Sequence, residues 1–259
     1  NASVGAYNSA YIEWVITVFM LLFSLNFNMY YFLIARKFTA VAKNSEWKVF
    51  LLIVILAASL LTVTIRGMYS NVDEAIRAAA FQTASIISTT GFATADFNLW
   101  GGFSKTIITV LMIIGACAGS TGGGLKVSRV MIMVKSAIRT MREMIRPHSV
   151  NNVKIDGKVV EEETVRMVSG YVIVYIAIVG VSFLLIGINN LNFEESFSSV
   201  ITCISNVGPG FGSVGPVGNF YVLSDFSKVI LSLDMLLGRL EIFPILLLFV
   251  PAMWRKRFI

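Results

Sequence analysis

Two short stretches of this 259-residue chain hold the residues best placed to do chemistry, and the chemistry is that of the main chain. Ser88-Thr89-Thr90-Gly91-Phe92-Ala93 and Ser205-Asn206-Val207-Gly208-Pro209-Gly210 each set a glycine three residues after a serine. Glycine admits positive φ angles. Successive carbonyl oxygens can then turn to one side and replace the water around a dehydrated monovalent cation. Small neighbours let several such strands crowd one axis. A competing reading makes Gly91 and Gly208 left-handed helix caps. For one stretch alone the two readings compete; two stretches at equivalent places favour the carbonyl reading.

Other chemistry is thinly represented. Cys117 and Cys203 lack a CxxC partner and nearby histidines, so they read as buried free thiols. His148, the only histidine, sits beside Pro147 in a basic stretch and reads as a surface imidazole. No Walker A sequence occurs, and no GxGxxG follows a strand. With no cluster of catalytic type, the chain does not read as an enzyme.

Two further groups of residues stand out. Gly115, Gly119, Gly122, Gly123 and Gly124 interrupt an apolar segment. Each glycine costs about 1 kcal/mol against alanine within a helix, so helix is not expected to continue there. Alternatively, Gly115 and Gly119 form a small-residue packing face. Asp234, Arg239 and Glu241 lie within the last apolar segment. Ionisable groups at membrane depth face a cavity or one another. An internal ion pair of Arg239 with Glu241 or Asp234 is therefore the alternative to a pore role.

The elements that must position these residues follow from composition. Hydrophobic residues make up 56% and charged residues 14%, with a mean hydropathy of +0.77. Soluble domains average about 45–50% and about 25%. A membrane-spanning helix needs roughly 20 mostly apolar residues. Five segments serve: Ile12–Ala35, Val49–Ile65, Ile107–Met133, Met167–Ile188 and Val229–Met253. Asn1–Ala10 carries no basic region, so the first apolar run does not read as a signal peptide. Asp73–Ser88 and Phe193–Ser205 are apolar but too short to cross. Each starts with acidic residues, which suit the positive end of a helix dipole. Each runs into one of the glycine stretches. Such helices are expected to be re-entrant pore helices, because irregular backbone at membrane depth must be buried in protein or line a water-filled cavity.

Sixteen of the 21 lysines and arginines then fall on one side of the membrane. They are Arg36, Lys37, Lys43 and Lys48, then nine from Lys126 to Arg166, then Arg255, Lys256 and Arg257. The positive-inside rule makes that side cytoplasmic, together with the C-terminus, and puts Asn1 and both pore helices outside. The net charge of +6 is accounted for by this asymmetry, not by nucleic-acid binding. The polar stretch from Lys135 to Arg166 reads as a solvated linker.

A shift of 117 residues lays Ser88–Ala93 on Ser205–Gly210. The expected fold class is all-α integral membrane, built of span–re-entrant pore loop–span repeats as in potassium channels. Residues 1–40 read as the second span of a preceding repeat, 41–150 as a third repeat and 151–259 as a fourth. Both glycine stretches can be read as variants of the potassium-channel TVGYG strand. Two upstream repeats, or a symmetric dimer, complete a four-loop ring; the unpartnered first helix favours the former.

On these motifs, with Gly115–Lys126 and Gly238-Arg239-Leu240-Glu241, the chain resembles the Trk/Ktr/HKT superfamily of potassium transport proteins, and within it the bacterial Trk-system membrane subunits. The resemblance runs essentially the whole length. It implies potassium as the transported ion, bound by backbone carbonyls of Thr89, Thr90, Gly91, Asn206, Val207 and Gly208, with Phe92 and Pro209 completing the filter. It implies an intramembrane loop at Gly115–Gly124 and a pore arginine, Arg239, as the gate. It further implies a homodimer in the bacterial inner membrane, surrounded by lipid, with a cytosolic nucleotide-binding regulatory subunit of the TrkA-like kind and no organic cofactor. Gated passive uptake, symport with sodium or protons, and a role as a potassium-pump subunit all stay open.

Overall fold

The computed structural model describes residues 3–146 and 151–254. Asn1, Pro147, His148, Arg255, Lys256 and Arg257 lie outside the described residues. In chain order the helices are α1 (Ala10–Phe23), α2 (Phe27–Ile34), α3 (Phe38–Lys43), α4 (Glu46–Ile65), α5 (Val72–Ile87), α6 (Gly102–Ile114) and α7 (Val127–Ile145). A two-stranded antiparallel hairpin follows, β1 (Lys154–Ile155) and β2 (Lys158–Val159). Then come α8 (Glu162–Ile186), α9 (Phe193–Ile204), α10 (Asp225–Arg239), α11 (Ile242–Leu248) and α12 (Pro251–Trp254).

The two short apolar helices expected in the middle are α5 and α9, within a residue of their predicted limits. Both are deeply buried. Phe81, Ala84, Ile86 and Ile87 of α5 and Val200, Ile201 and Ile204 of α9 are almost entirely covered. Around α5 pack α1, α4 and α6; around α9 pack α8 and α10. One apolar cluster joins the two units, running from Phe50 and Leu61 of α4 through Ile86 to Ile201, Val207 and Phe211. Phe97 and Phe211 meet edge to face with ring centroids 5.6 Å apart. Such burial is worth roughly 1.5–3 kcal/mol for each large side chain. It fixes the loops that follow α5 and α9 relative to each other.

Among the described residues, α4 and α8 are long and apolar enough to cross a membrane by themselves. Their outward faces carry exposed Leu52, Ile55, Val63, Ile173, Ile176 and Leu184. The other three expected spans are built of shorter pieces. Ile12–Ala35 is not one straight helix: α1 and α2 meet at 90°. Ser24–Asn26 form the corner, and the backbone groups freed there are taken up by the glycine-rich segment. Ile107–Met133 is broken as expected, with α6 ending at Ile114 and α7 starting at Val127. Val229–Met253 is also broken: α10 stops at Arg239, Glu241 has φ +65°, and α11 begins at Ile242. The expected linker 135–166 is largely ordered structure. α7 runs through Lys135 to Ile145, the hairpin follows, and α8 already starts at Glu162. Arg139 of α7 pairs with Glu162 of α8.

Candidate functional site: two glycine strands above a glycine-rich loop

The strands after α5 and α9 follow closely similar backbone paths. Ser88 closes α5 and Ser205 closes α9, both with right-handed φ. The first left-handed residue is then Thr89 in one strand and Asn206 in the other, each at φ +56°. Thr90 N–H donates to Ser85 O at 3.0 Å, and Val207 N–H to Thr202 O at 2.9 Å. Ser85 Oγ donates to Phe92 O at 2.5 Å, and Thr202 Oγ1 to Pro209 O at 3.0 Å. In each of these contacts the residues of one strand lie 117 positions from their counterparts. Gly91 and Gly208 have φ of +76° and +112° and lie beyond the helix caps, so the capping reading falls away. A left-handed conformation at Thr89, a β-branched residue, costs on the order of 1–3 kcal/mol. Buried Ser85 holds the strand that contains Thr89, and buried Thr202 the other.

The hydroxyls of Ser85 and Thr202 turn the Phe92 and Pro209 carbonyls back toward α5 and α9. The carbonyls of Thr89, Thr90, Gly91, Asn206, Val207 and Gly208 accept no hydrogen bond among the described residues. The strands also meet. A Cβ on Gly91 would collide with Val207 O and come within 3.1 Å of Pro209 Cδ. A cavity of about 320 Å³ opens beside them, lined by Thr89, Thr90, Asn206, Val207 and Gly208 with Lys228 and Met235 of α10.

Directly against the strand roots lies the segment 115–126. It leaves α6 and doubles back, so that Leu125 N–H reaches Ile113 O at 3.1 Å and Lys126 N–H reaches Ile114 O at 2.9 Å. Gly115, Gly119 and Gly124 have φ between +67° and +78°. Neither Gly115 nor Gly119 lies in a helix, which removes the packing-face alternative. Gly123 N–H donates to Thr89 Oγ1 at 2.7 Å. A Cβ on Gly123 would strike Ser205 O, and one on Gly122 would sit 3.1 Å from Ser88 O. The corner between α1 and α2 grips the far side. Cys117 N–H donates to Ser24 O, and Phe27 N–H to Gly119 O, both at 3.1 Å.

Arg239 closes α10 and donates from Nη1 to Thr121 O at 2.7 Å. It pairs with neither Glu241 nor Asp234. Glu241 takes Arg129 Nη2 at 2.5 Å, and that guanidinium lies 4.1 Å from the Tyr171 ring centre. Asp234, 2% exposed, accepts from Ser182 Oγ at 2.8 Å. Gly119, Thr121, Gly123, Lys126, Arg239 and Glu241 share the lining of a cavity of about 280 Å³. Cys117 and Cys203 are free and buried, as expected. Sequence reasoning missed four residues here. Lys126 Nζ donates to Gly122 O within the loop. Glu46 binds two N–H groups beside it, and Ser85 with Thr202 holds the strands. Only Lys126, two residues after the glycine run, carried a local signal.

Comparison with known proteins bears on the family and the fold. The family described as "TrkH: Cation transport protein" matches residues 1–256. The Trk system potassium uptake protein TrkH of Escherichia coli (strain K12) is 31% identical over 259 residues, covering 99% of this chain and 53% of that protein. TrkG of the same strain is 32% identical over 260 residues, with the same coverage. The crystal structure of the potassium transporter TrkH from Vibrio parahaemolyticus superposes with a TM-score of 0.89 at 31% identity, covering 98% of this chain and 55% of that one. The chain spans about half the length of the curated relatives it matches. On that match, the chain belongs to the TrkH family of cation transport proteins.

Proposed function

We propose that this chain contributes two pore loops to a potassium-uptake pore of the bacterial inner membrane. The observation that carries the reading is the set of six carbonyls on two touching strands that accept no hydrogen bond among the described residues. A dehydrated monovalent cation needs such oxygens, already freed from other partners. The relatives' names, potassium uptake proteins, choose the ion. Phe92 and Pro209 complete the filter by orienting it, through Ser85 and Thr202, more than by offering their own oxygens.

α5 and α9 are re-entrant in this reading: α4, α8 and their partner segments cross, and the two buried helices enter and return. The basic flanks of α2 to α4 and the length of α7 face the cytoplasm, toward anionic lipid. Residues 41–150 and 151–259 each form a span–pore loop–span repeat, and residues 1–40 close a preceding one. Ring closure calls for further loops of the same kind. The segment 115–126 lies beneath the strands and is the gate, and Arg239 holds it while placing a positive charge in the cation path. Regulation comes from a cytosolic nucleotide-binding subunit on the basic face, and the protein works as a homodimer.

The test is rubidium and sodium flux into liposomes holding the full-length protein. Rubidium uptake that follows its own gradient, with sodium excluded, supports the reading. A reversal potential that shifts with sodium or proton gradients transfers the function to symport.

A further inference from the structure

Glu46 opens α4, far in sequence from the glycine-rich loop, yet its carboxylate is fastened to it. Oε1 accepts from Ala118 N–H at 2.7 Å and from Ser128 N–H at 3.2 Å. One buried oxygen thus ties the outgoing limb of the loop to the first turn of α7. The residues just before it form a joint. Asn44 Oδ1 accepts from the N–H groups of Glu46 at 2.9 Å and Trp47 at 3.3 Å. Ser45 donates from both N and Oγ to Asp156 Oδ1, each at 2.6 Å. Asp156 is exposed and forms, with Gly157, the left-handed turn of the β1–β2 hairpin. An unbroken series of contacts therefore runs from an exposed turn, through two adjacent residues, to the backbone of the loop.

We propose that Glu46 is a positioning residue that holds the segment 115–126 in place, and that the Ser45–Asp156 contact makes the β1–β2 hairpin the handle on it. The proposal rests on the reading of that segment as a gate. Its physical basis is the strength of hydrogen bonds to a charged acceptor, together with the cost of leaving buried N–H groups unpaired. A force or partner that moves the hairpin pulls Ser45. The next residue in the chain is the one the loop hangs from.

The experiment measures basal rubidium uptake by liposomes holding the full-length protein. Deletion of residues 115–119 is the reference for an open gate. Glu46→Ala is expected to raise basal uptake about tenfold, the change expected when charge-assisted bonds of this kind are lost. Glu46→Gln keeps an acceptor oxygen at the same reach and gives a smaller rise. Asp156→Ala, at an exposed turn, gives about a threefold rise, and Glu46→Ala on top of the deletion adds nothing. Wild-type uptake in Glu46→Ala or Asp156→Ala, while the deletion raises uptake, overturns the proposal and leaves the gate reading standing. Additivity of Glu46→Ala with the deletion also overturns it. If the deletion leaves uptake unchanged, the gate reading fails and this proposal with it. If Glu46→Ala does not reach the membrane, Asp156→Ala decides the outcome.

Discussion

Gly91 has no room for a side chain because the carbonyl oxygen of Val207, on the other strand, occupies the place where a Cβ would stand. The two glycine strands, 117 residues apart in sequence, touch backbone to backbone. Gly208 stands in open space and needs its glycine only for φ +112°.

That contrast separates two substitutions. Gly91→Ala combines a steric collision with a left-handed backbone, whereas Gly208→Ala meets only the backbone penalty of roughly 1–2 kcal/mol. Gly91→Ala is expected to lower rubidium-over-sodium selectivity about tenfold or more, and Gly208→Ala by a few fold. Flux ratios in liposomes check this. Equal ratios for wild type and Gly91→Ala count against the two strands forming a filter.

The hydroxyls beneath the strands make a second pair. Thr202 Oγ1 donates to Pro209 O and accepts from Gly208 N–H, while Ser85 Oγ donates to Phe92 O. Thr202→Val keeps the shape and loses both contacts; Ser85→Ala loses one. A lost partner costs about 1–3 kcal/mol when the remaining group stays buried. Thermal unfolding in detergent is expected to show the larger drop for Thr202→Val, with selectivity falling in the same order. The reverse order argues against this division of labour.

Gly123 touches the root of the second strand through Ser205 O and donates to Thr89 of the first. Gly123→Ala cannot keep both contacts, so the loop must move away from the strands. Basal uptake is expected to rise several fold with little change in ion selectivity. Single-turnover flux measurements that find selectivity lost and basal uptake unchanged would reverse the assignment of gate and filter.

Arg239 is exposed and makes its contact through Thr121 O. Arg239→Ala is therefore expected to unfold within about 1 kcal/mol of wild type, as surface substitutions do, while basal uptake rises. A large loss of melting temperature would show instead that this guanidinium holds helices together.

How much of this was legible depends on the range of each signal. α5 and α9 were legible because their apolar runs are short, begin with Asp73-Glu74 and Glu194-Glu195, and end at Ser88 and Ser205. The break of α6 from α7 was legible because its glycines are local helix breakers. The right angle at Ser24–Asn26 was not. No proline or glycine marks that corner, and it persists because Ser24 O and Phe27 N–H find Cys117 N–H and Gly119 O across the molecule. The end of α10 at Arg239 was hidden for the same reason: Glu241 leaves the helix to meet Arg129.

The amino-acid sequence by itself determined which segments are apolar, that helix breaks at the glycines between α6 and α7, and which two glycines sit at equivalent places. Those are properties of neighbouring residues, set by hydropathy, helix propensity and backbone freedom. Only the tertiary structure decided that the two strands touch, that their roots rest on the glycine-rich loop, and that Glu46 reaches it. Hydrogen bonds and contacts between residues tens of positions apart leave no periodic trace in a chain. They come into being only when burial of α5 and α9 brings the two glycine strands together.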